Sequence, residues 1–177
     1  MKTKGVKWMG QPLFFVVLFT VLWSNPMQGQ QQPCACCDEN HRAFDFWVGE
    51  WNVRDATGNL LGTNSIERLQ DGCLLRENWK GSGGTTGNSI NYYNTVAGQW
   101  EQVWVDNAGN VLKLYGNVTE GAMIMSSESY EDPNGDSRQH RITWTLQKDG
   151  SVRQTWDVLN EEGEVIQTLF NGIYSRD

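Results

Sequence analysis

Phe44-Asp45-Phe46-Trp47-Val48-Gly49-Glu50-Trp51-Asn52-Val53 is the stretch whose reading decides the fold. An aromatic cluster ends at Gly49, and an alternating run starts directly after it. Glycine lets the backbone turn sharply there, and the tryptophan two residues on is large enough to fill one end of a barrel. From that point short alternating runs and tight-turn residues continue to the C-terminus. Strands are predicted over residues 50–56, 60–70, 73–81, 88–94, 99–106, 110–118, 122–130, 140–147, 151–159 and 164–175. The breaks carry hairpin signals such as Thr57-Gly58-Asn59, Asn107-Ala108-Gly109 and Asp149-Gly150. Only residues 39–48 allow a helical turn or two. A run of sequential antiparallel strands has exposed edges unless it closes on itself. The expected fold is therefore all-β: a single closed, antiparallel up-and-down barrel of about ten strands, with a short helical turn before the first. A Greek-key sandwich would need longer crossovers than these.

Upstream of the quoted stretch the sequence changes character. Lys2, Lys4 and Lys7 precede an apolar run at 13–23, and a polar stretch with Pro26 follows. Eleven apolar residues fall far short of the roughly 20 that span a bilayer. This is the layout of a secretory signal peptide, with cleavage expected near Gly29. A retained membrane anchor is the alternative. The expected organisation is a signal peptide at 1–29, a Cys-rich segment at 30–43 and the barrel domain at 44–177. Cleavage removes three Lys and no acid, taking the net charge of the 177-residue chain from −7 to −10. Such a surface repels nucleic acid and anionic membranes. A secreted or periplasmic protein is expected, with no stable membrane span once the signal is cleaved.

Cysteine usage agrees with export. Cys34, Cys36 and Cys37 lie just before the domain and Cys73 lies within it. In an oxidising compartment one of the three is expected to bridge to Cys73, and Cys37, closest to the fold, is the favoured partner. The two remaining thiols then pair together or stay free. A metal or redox site on Cys34-Ala35-Cys36-Cys37 is the alternative, but His41 is the only imidazole nearby and a metal wants four placed ligands. No metal is expected.

Side chains alternate along a strand, so parity sorts the barrel's inside from its outside. Glu77 and Trp79 share a face, as do Asn91 and Tyr93, Gln102 and Trp104, and Gln154 and Trp156. If these faces point inward, the lumen is lined by tryptophan yet partly polar. A packed core avoids unpaired polar groups, whereas a ligand pocket combines aromatic walls with a few fixed ones. Glu77, Trp79, Asn91, Tyr93, Gln102, Trp104, Gln154 and Trp156 are accordingly the expected ligand-binding residues. Mutually bonded amides in a solid core are the competing reading.

Several motifs carry a family likeness: Phe44-Asp45-Phe46-Trp47-x-Gly49-Glu50-Trp51, Gly72-Cys73-x-x-x-Glu77-x-Trp79, Ser89-x-Asn91-x-Tyr93, Trp100-x-Gln102-x-Trp104-Val105-Asp106 and Phe170-x-Gly172-x-Tyr174-x-Arg176. With these the chain, over about residues 37–176, resembles a bacterial family of secreted lipocalin-like domains in the calycin superfamily. It is also similar to nitrobindin-type and fatty-acid-binding-type barrels. The resemblance implies a closed barrel that binds a small hydrophobic or amphipathic molecule. It also implies that Gly49, Trp51 and Arg176 form a structural set, with the arginine over the indole. Nitrobindin-type proteins hold haem through a histidine late in the chain. This chain has only His41 and His140, so haem is disfavoured and no cofactor is expected.

An enzyme is the second functional class. Glu77 inside an apolar barrel would have a raised pKa suited to general acid/base work, with Tyr93 or Asp106 as partner, in an isomerase-, cyclase- or hydrolase-like reaction. No nucleophile elbow or Ser/His/Asp set accompanies it. The third class is a structural barrel without ligand, whose outward Ile90, Tyr92, Val103 and Val105 would serve a homodimer.

Overall fold

The computed structural model describes Lys2, Lys4, Gly5 and residues 34–176. The expected signal segment therefore lies almost wholly outside the described residues. Among these, no helix is long and apolar enough to cross a membrane. Residues 34–176 belong to one compact unit, which takes in the described part of the Cys-rich segment as well as the barrel.

Ten strands run antiparallel in chain order: β1 (Gly49–Arg54), β2 (Leu60–Leu69), β3 (Leu74–Gly81), β4 (Thr86–Asn94), β5 (Gln99–Asp106), β6 (Val111–Thr119), β7 (Ala122–Ser126), β9 (Ser137–Leu146), β10 (Val152–Leu159) and β11 (Val165–Ser175). Each pairs with the next, and β11 pairs back onto β1 through Asn52–Arg54, so the ring closes and leaves no edge. The two-residue β8 (Tyr130–Glu131) stands outside it, paired only with the start of β9. The expected strand 122–130 is thus too long. The chain leaves the wall after Ser126 and makes an outlying hairpin through 132–136, and β9 begins at Ser137 rather than at 140.

The hairpins are built alike. In the loops 55–59, 106–110, 132–136, 147–151 and 160–164 the first amide donates to the fifth carbonyl, and the fourth residue, a glycine, donates back to the first carbonyl. Where the first residue is Asp or Asn (Asp55, Asp106, Asp132, Asn160), its side-chain oxygen also accepts the fifth amide. The recurring Asp/Asn-x-x-Gly signal therefore fixes strand length and register together. All four of these loops lie at one end of the barrel.

The opposite end is closed by the chain that precedes β1. Asp38 caps the four-residue helix α1 (Glu39–Arg42), its Oδ1 accepting the His41 amide at 3.0 Å. A 3-10 turn at Asp45–Trp47 follows and drives Phe44 and Trp47 into the barrel, both fully buried. Phe44 stacks on Trp47 at 4.8 Å and meets Trp100 and Trp144 edge-on. The Trp51 indole donates to the Trp47 carbonyl at 2.8 Å, and that of Trp100 to Asn40 at 3.0 Å. Gly49 has φ of 139° and lies against Arg176, whose guanidinium donates to the Val48 carbonyl at 2.8 Å and sits 4.3 Å from the Trp51 ring centroid. A side chain at Gly49 would be strained by its φ and would press on that guanidinium.

Disulfides fix the plug, but not through the pair expected. Cys36 bridges to Cys73, and Cys37 to Cys34. The expected Cys37–Cys73 bond is replaced because Cys36 is the buried residue, turned onto the 70–72 turn that holds Cys73, while Cys37 is exposed.

Candidate lumen site

Above the plug the barrel holds a cavity of about 780 Å³ that reaches the rim at the 82–85 and 107–110 connections. Trp79, Trp104, Trp156 and Phe170 form its aromatic walls, and Glu77, Gln102, Gln154, Tyr174 and His140 its polar ones. Trp104 can lie flat against the wall because position 87 is glycine: a Cβ there would stand 2.2 Å from the indole. Trp79 meets Phe170 edge-to-face at 5.9 Å.

Cross-strand register assembles a polar relay beneath these rings. β2–β3–β4 pairing sets Ile66 opposite Glu77 and Glu77 opposite Ser89, while Asn64 faces Trp79 one step along. Asn64 Nδ2 donates to Glu77 Oε1 at 2.7 Å, and the Ser89 hydroxyl to Oε2 at 2.6 Å. Asn91 donates to Ser89 Oγ at 2.9 Å and to the Leu75 carbonyl at 3.2 Å, and accepts from Gln102 Nε2 at 2.6 Å. On the other side Asn64 donates to the Tyr174 hydroxyl at 3.3 Å, which in turn donates to Gln154. The relay thus runs from β10 to β5.

Glu77 is 6 % exposed, and burial pushes its carboxyl from the usual 4.5 up to about 7, against the opposing bonds from Ser89 and Asn64. Burial, and after it the Glu77 charge, push Tyr174 well above the ordinary tyrosine range. Burial also lowers the pKa of half-buried His140. Its Nδ1 accepts from the Trp156 indole at 3.0 Å, and Tyr130 of β8 stacks on its outer side at 5.1 Å. Since an indole only donates, the imidazole is neutral with its proton on Nε2. No Lys or Arg lines the cavity among the described residues, and no three His, Cys, Asp or Glu side chains there converge as a metal site.

Of the eight residues expected to bind a ligand, Glu77, Trp79, Gln102, Trp104, Gln154 and Trp156 line the cavity. Asn91 is buried behind the wall as a member of the relay. Tyr93 points inward but lies at the plugged end, 5.2 Å from His41 and against Trp100. The partners expected for Glu77 in acid/base work do not touch it. Asp106 is spent at the rim on the 106–110 loop and Tyr93 lies in the plug. Sequence reasoning missed Asn64, Tyr174 and His140. His140 shares parity with Ile142 and Trp144, and Tyr174 with Phe170 and Gly172, so the signal was present. Parity itself fails late in β10: pairing with β11 slips between Trp156 and Asp157, and Asp157, Val158 and Leu159 are all buried.

No family model matches this chain, and no curated protein matches it.

Proposed function

We propose that this protein is an exported, calycin-like binding barrel that holds a small hydrophobic or amphipathic molecule in its lumen. The observation that carries the reading is one cavity of about 780 Å³ in which tryptophan faces and buried polar side chains meet. That volume suits a small-molecule site. A lumen serving stability alone would be filled with hydrocarbon, because each buried polar group costs free energy unless bonded. Two disulfides, with all four cysteines paired, support folding in an oxidising compartment. The test is mass spectrometry of whatever copurifies with the oxidised protein, followed by tryptophan fluorescence titrated with isoprenoids, lipids and aromatic metabolites. Saturable quenching by at least one class is expected; a flat response to all of them sinks the reading.

One observation favours a second reading. A carboxyl group held near 7 is suited to proton transfer at neutral pH. Its bonded neighbours, Asn64 and Ser89, are neutral, so the chemistry would be a single-residue isomerisation or cyclisation. Glu77→Gln should then abolish turnover of a lumen-bound substrate; retained turnover removes Glu77 from it.

A further inference from the structure

We infer that the lumen selects an uncharged, ring-bearing molecule carrying both a hydrogen-bond donor and an acceptor, of the amide or lactam class, and rejects a carboxylate of the same shape. The inference rests on the binding reading above and follows from the direction of the relay's hydrogen bonds.

The Leu75 carbonyl can only accept, so the Asn91 amide nitrogen is committed to it and to Ser89. The Ser89 proton is committed to Glu77. Asn91 therefore turns its oxygen to Gln102, which must donate. That leaves Gln102 Oε1, on a side chain 3 % exposed, with no protein donor. In the other direction Glu77 takes the Asn64 amide, which also donates to the Tyr174 oxygen. The Tyr174 proton then goes to Gln154 Oε1, and Gln154 Nε2, on a side chain 8 % exposed, has no protein acceptor. Trp144 Nε1 also lacks an acceptor, but the atom is sealed from the cavity and offers nothing to a ligand. Gln102 on β5 and Gln154 on β10 stand on different sides of the ring. The wall thus offers one unused acceptor and one unused donor to whatever occupies the cavity.

Charge decides what can meet them. Glu77 lies on the wall and Asp106 at its rim, no cation does, and His140 is neutral. An anionic head group would lose its hydration, meet a like charge and find no counter-ion. An uncharged amide gives its N–H to Gln102 and its carbonyl to Gln154. Its ring lies against Trp79, Trp104 or Trp156, whose flat faces reward stacking.

The test is calorimetric titration of the full, oxidised protein with 2-naphthamide, 2-naphthoate and 2-methylnaphthalene, which share a ring system and differ in polarity and charge. It is run at about pH 8.5, where naphthoate and Glu77 are both ionised. The amide should bind about tenfold or more tighter than either of the others. Gln102→Leu and Gln154→Leu should each cut the preference for amide over methylnaphthalene about tenfold. Glu77→Gln should raise naphthoate affinity relative to methylnaphthalene, with a melting curve confirming that each variant is folded. Naphthoate binding as tightly as the amide, or methylnaphthalene binding with no gain for the amide, overturns the selectivity and leaves the lumen reading standing. Binding of none of the three overturns both.

Discussion

The two ends of this barrel use the same residue for different work. At the plugged end Trp47, Trp51, Trp100 and Trp144 are buried, and the indole N–H groups of Trp51 and Trp100 hold the incoming chain by its carbonyls. At the open end Trp79, Trp104 and Trp156 are only half-buried, and their faces cover a cavity. Stability is concentrated where the rings interlock, because buried apolar area and close packing both vanish when such a ring is removed. The open end is free to be shaped by what it holds. A barrel closed at both ends would be more stable and would have no mouth.

Matched truncations break that comparison most directly. Trp47→Ala removes a fully buried ring stacked on Phe44 and should cost about 3–5 kcal/mol in denaturant unfolding. Trp104→Ala at the mouth removes a half-buried ring and should cost about 1 kcal/mol. Equal losses would show that the cavity wall is as tightly packed as the plug. The next largest effect belongs to the tether. Cys36 and Cys73 close a 37-residue separation, so replacing both with Ala should cost about 3–4 kcal/mol on the chain-entropy account. A double variant that melts like the parent would mean that the aromatic plug holds without its tether.

Between the two ends lies Glu77, and its effect is read in pH. The folded barrel holds the carboxyl up at about 7, whereas the unfolded chain leaves it near 4.5. Between those values the folded state keeps a proton that the unfolded state has lost. The resulting stability is fully present below about pH 4.5 and is lost as pH rises through about 7, a change of about 3 kcal/mol. Parent minus Glu77→Gln stability, followed by denaturant titration across that window, should fall with rising pH. A flat difference would mean that Glu77 is not held protonated by the lumen.

Strand alternation and the Asp/Asn-x-x-Gly loops made the ring legible, since both are local signals. Parity put Glu77, Gln102, Gln154 and three tryptophans on the cavity wall. Parity says which way a side chain points and nothing about its height along the barrel, which is why it puts Tyr93 in the site although Tyr93 lies in the plug. The relay needs register as well as parity: Asn64 and Tyr174 are 110 residues apart and meet only once β11 closes onto β1. The disulfide turned on a one-residue choice between Cys36 and Cys37, adjacent residues that differ in burial; closeness to the domain in sequence does not decide it. The outlying β8 hairpin is not legible because residues 122–130 contain no Gly or Pro to mark a break, while the chain leaves the wall at Ser126.

The smallest effect tests the last joint of the plug. Arg176 lies over Trp51 and donates to the Val48 carbonyl, so it ties the final strand to the step between the aromatic cluster and β1. The residue is exposed, and water weakens both contacts. Arg176→Ala should therefore cost about 1 kcal/mol, and Arg176→Lys nearly as much, because an ammonium cannot bridge ring and carbonyl as the planar guanidinium does. Denaturant melts of the two variants decide the matter. A lysine variant as stable as the parent would reduce the contact to simple charge. A loss at Arg176→Ala rivalling that at Trp47→Ala would mean that the plug is held from its rim rather than from its interlocked rings.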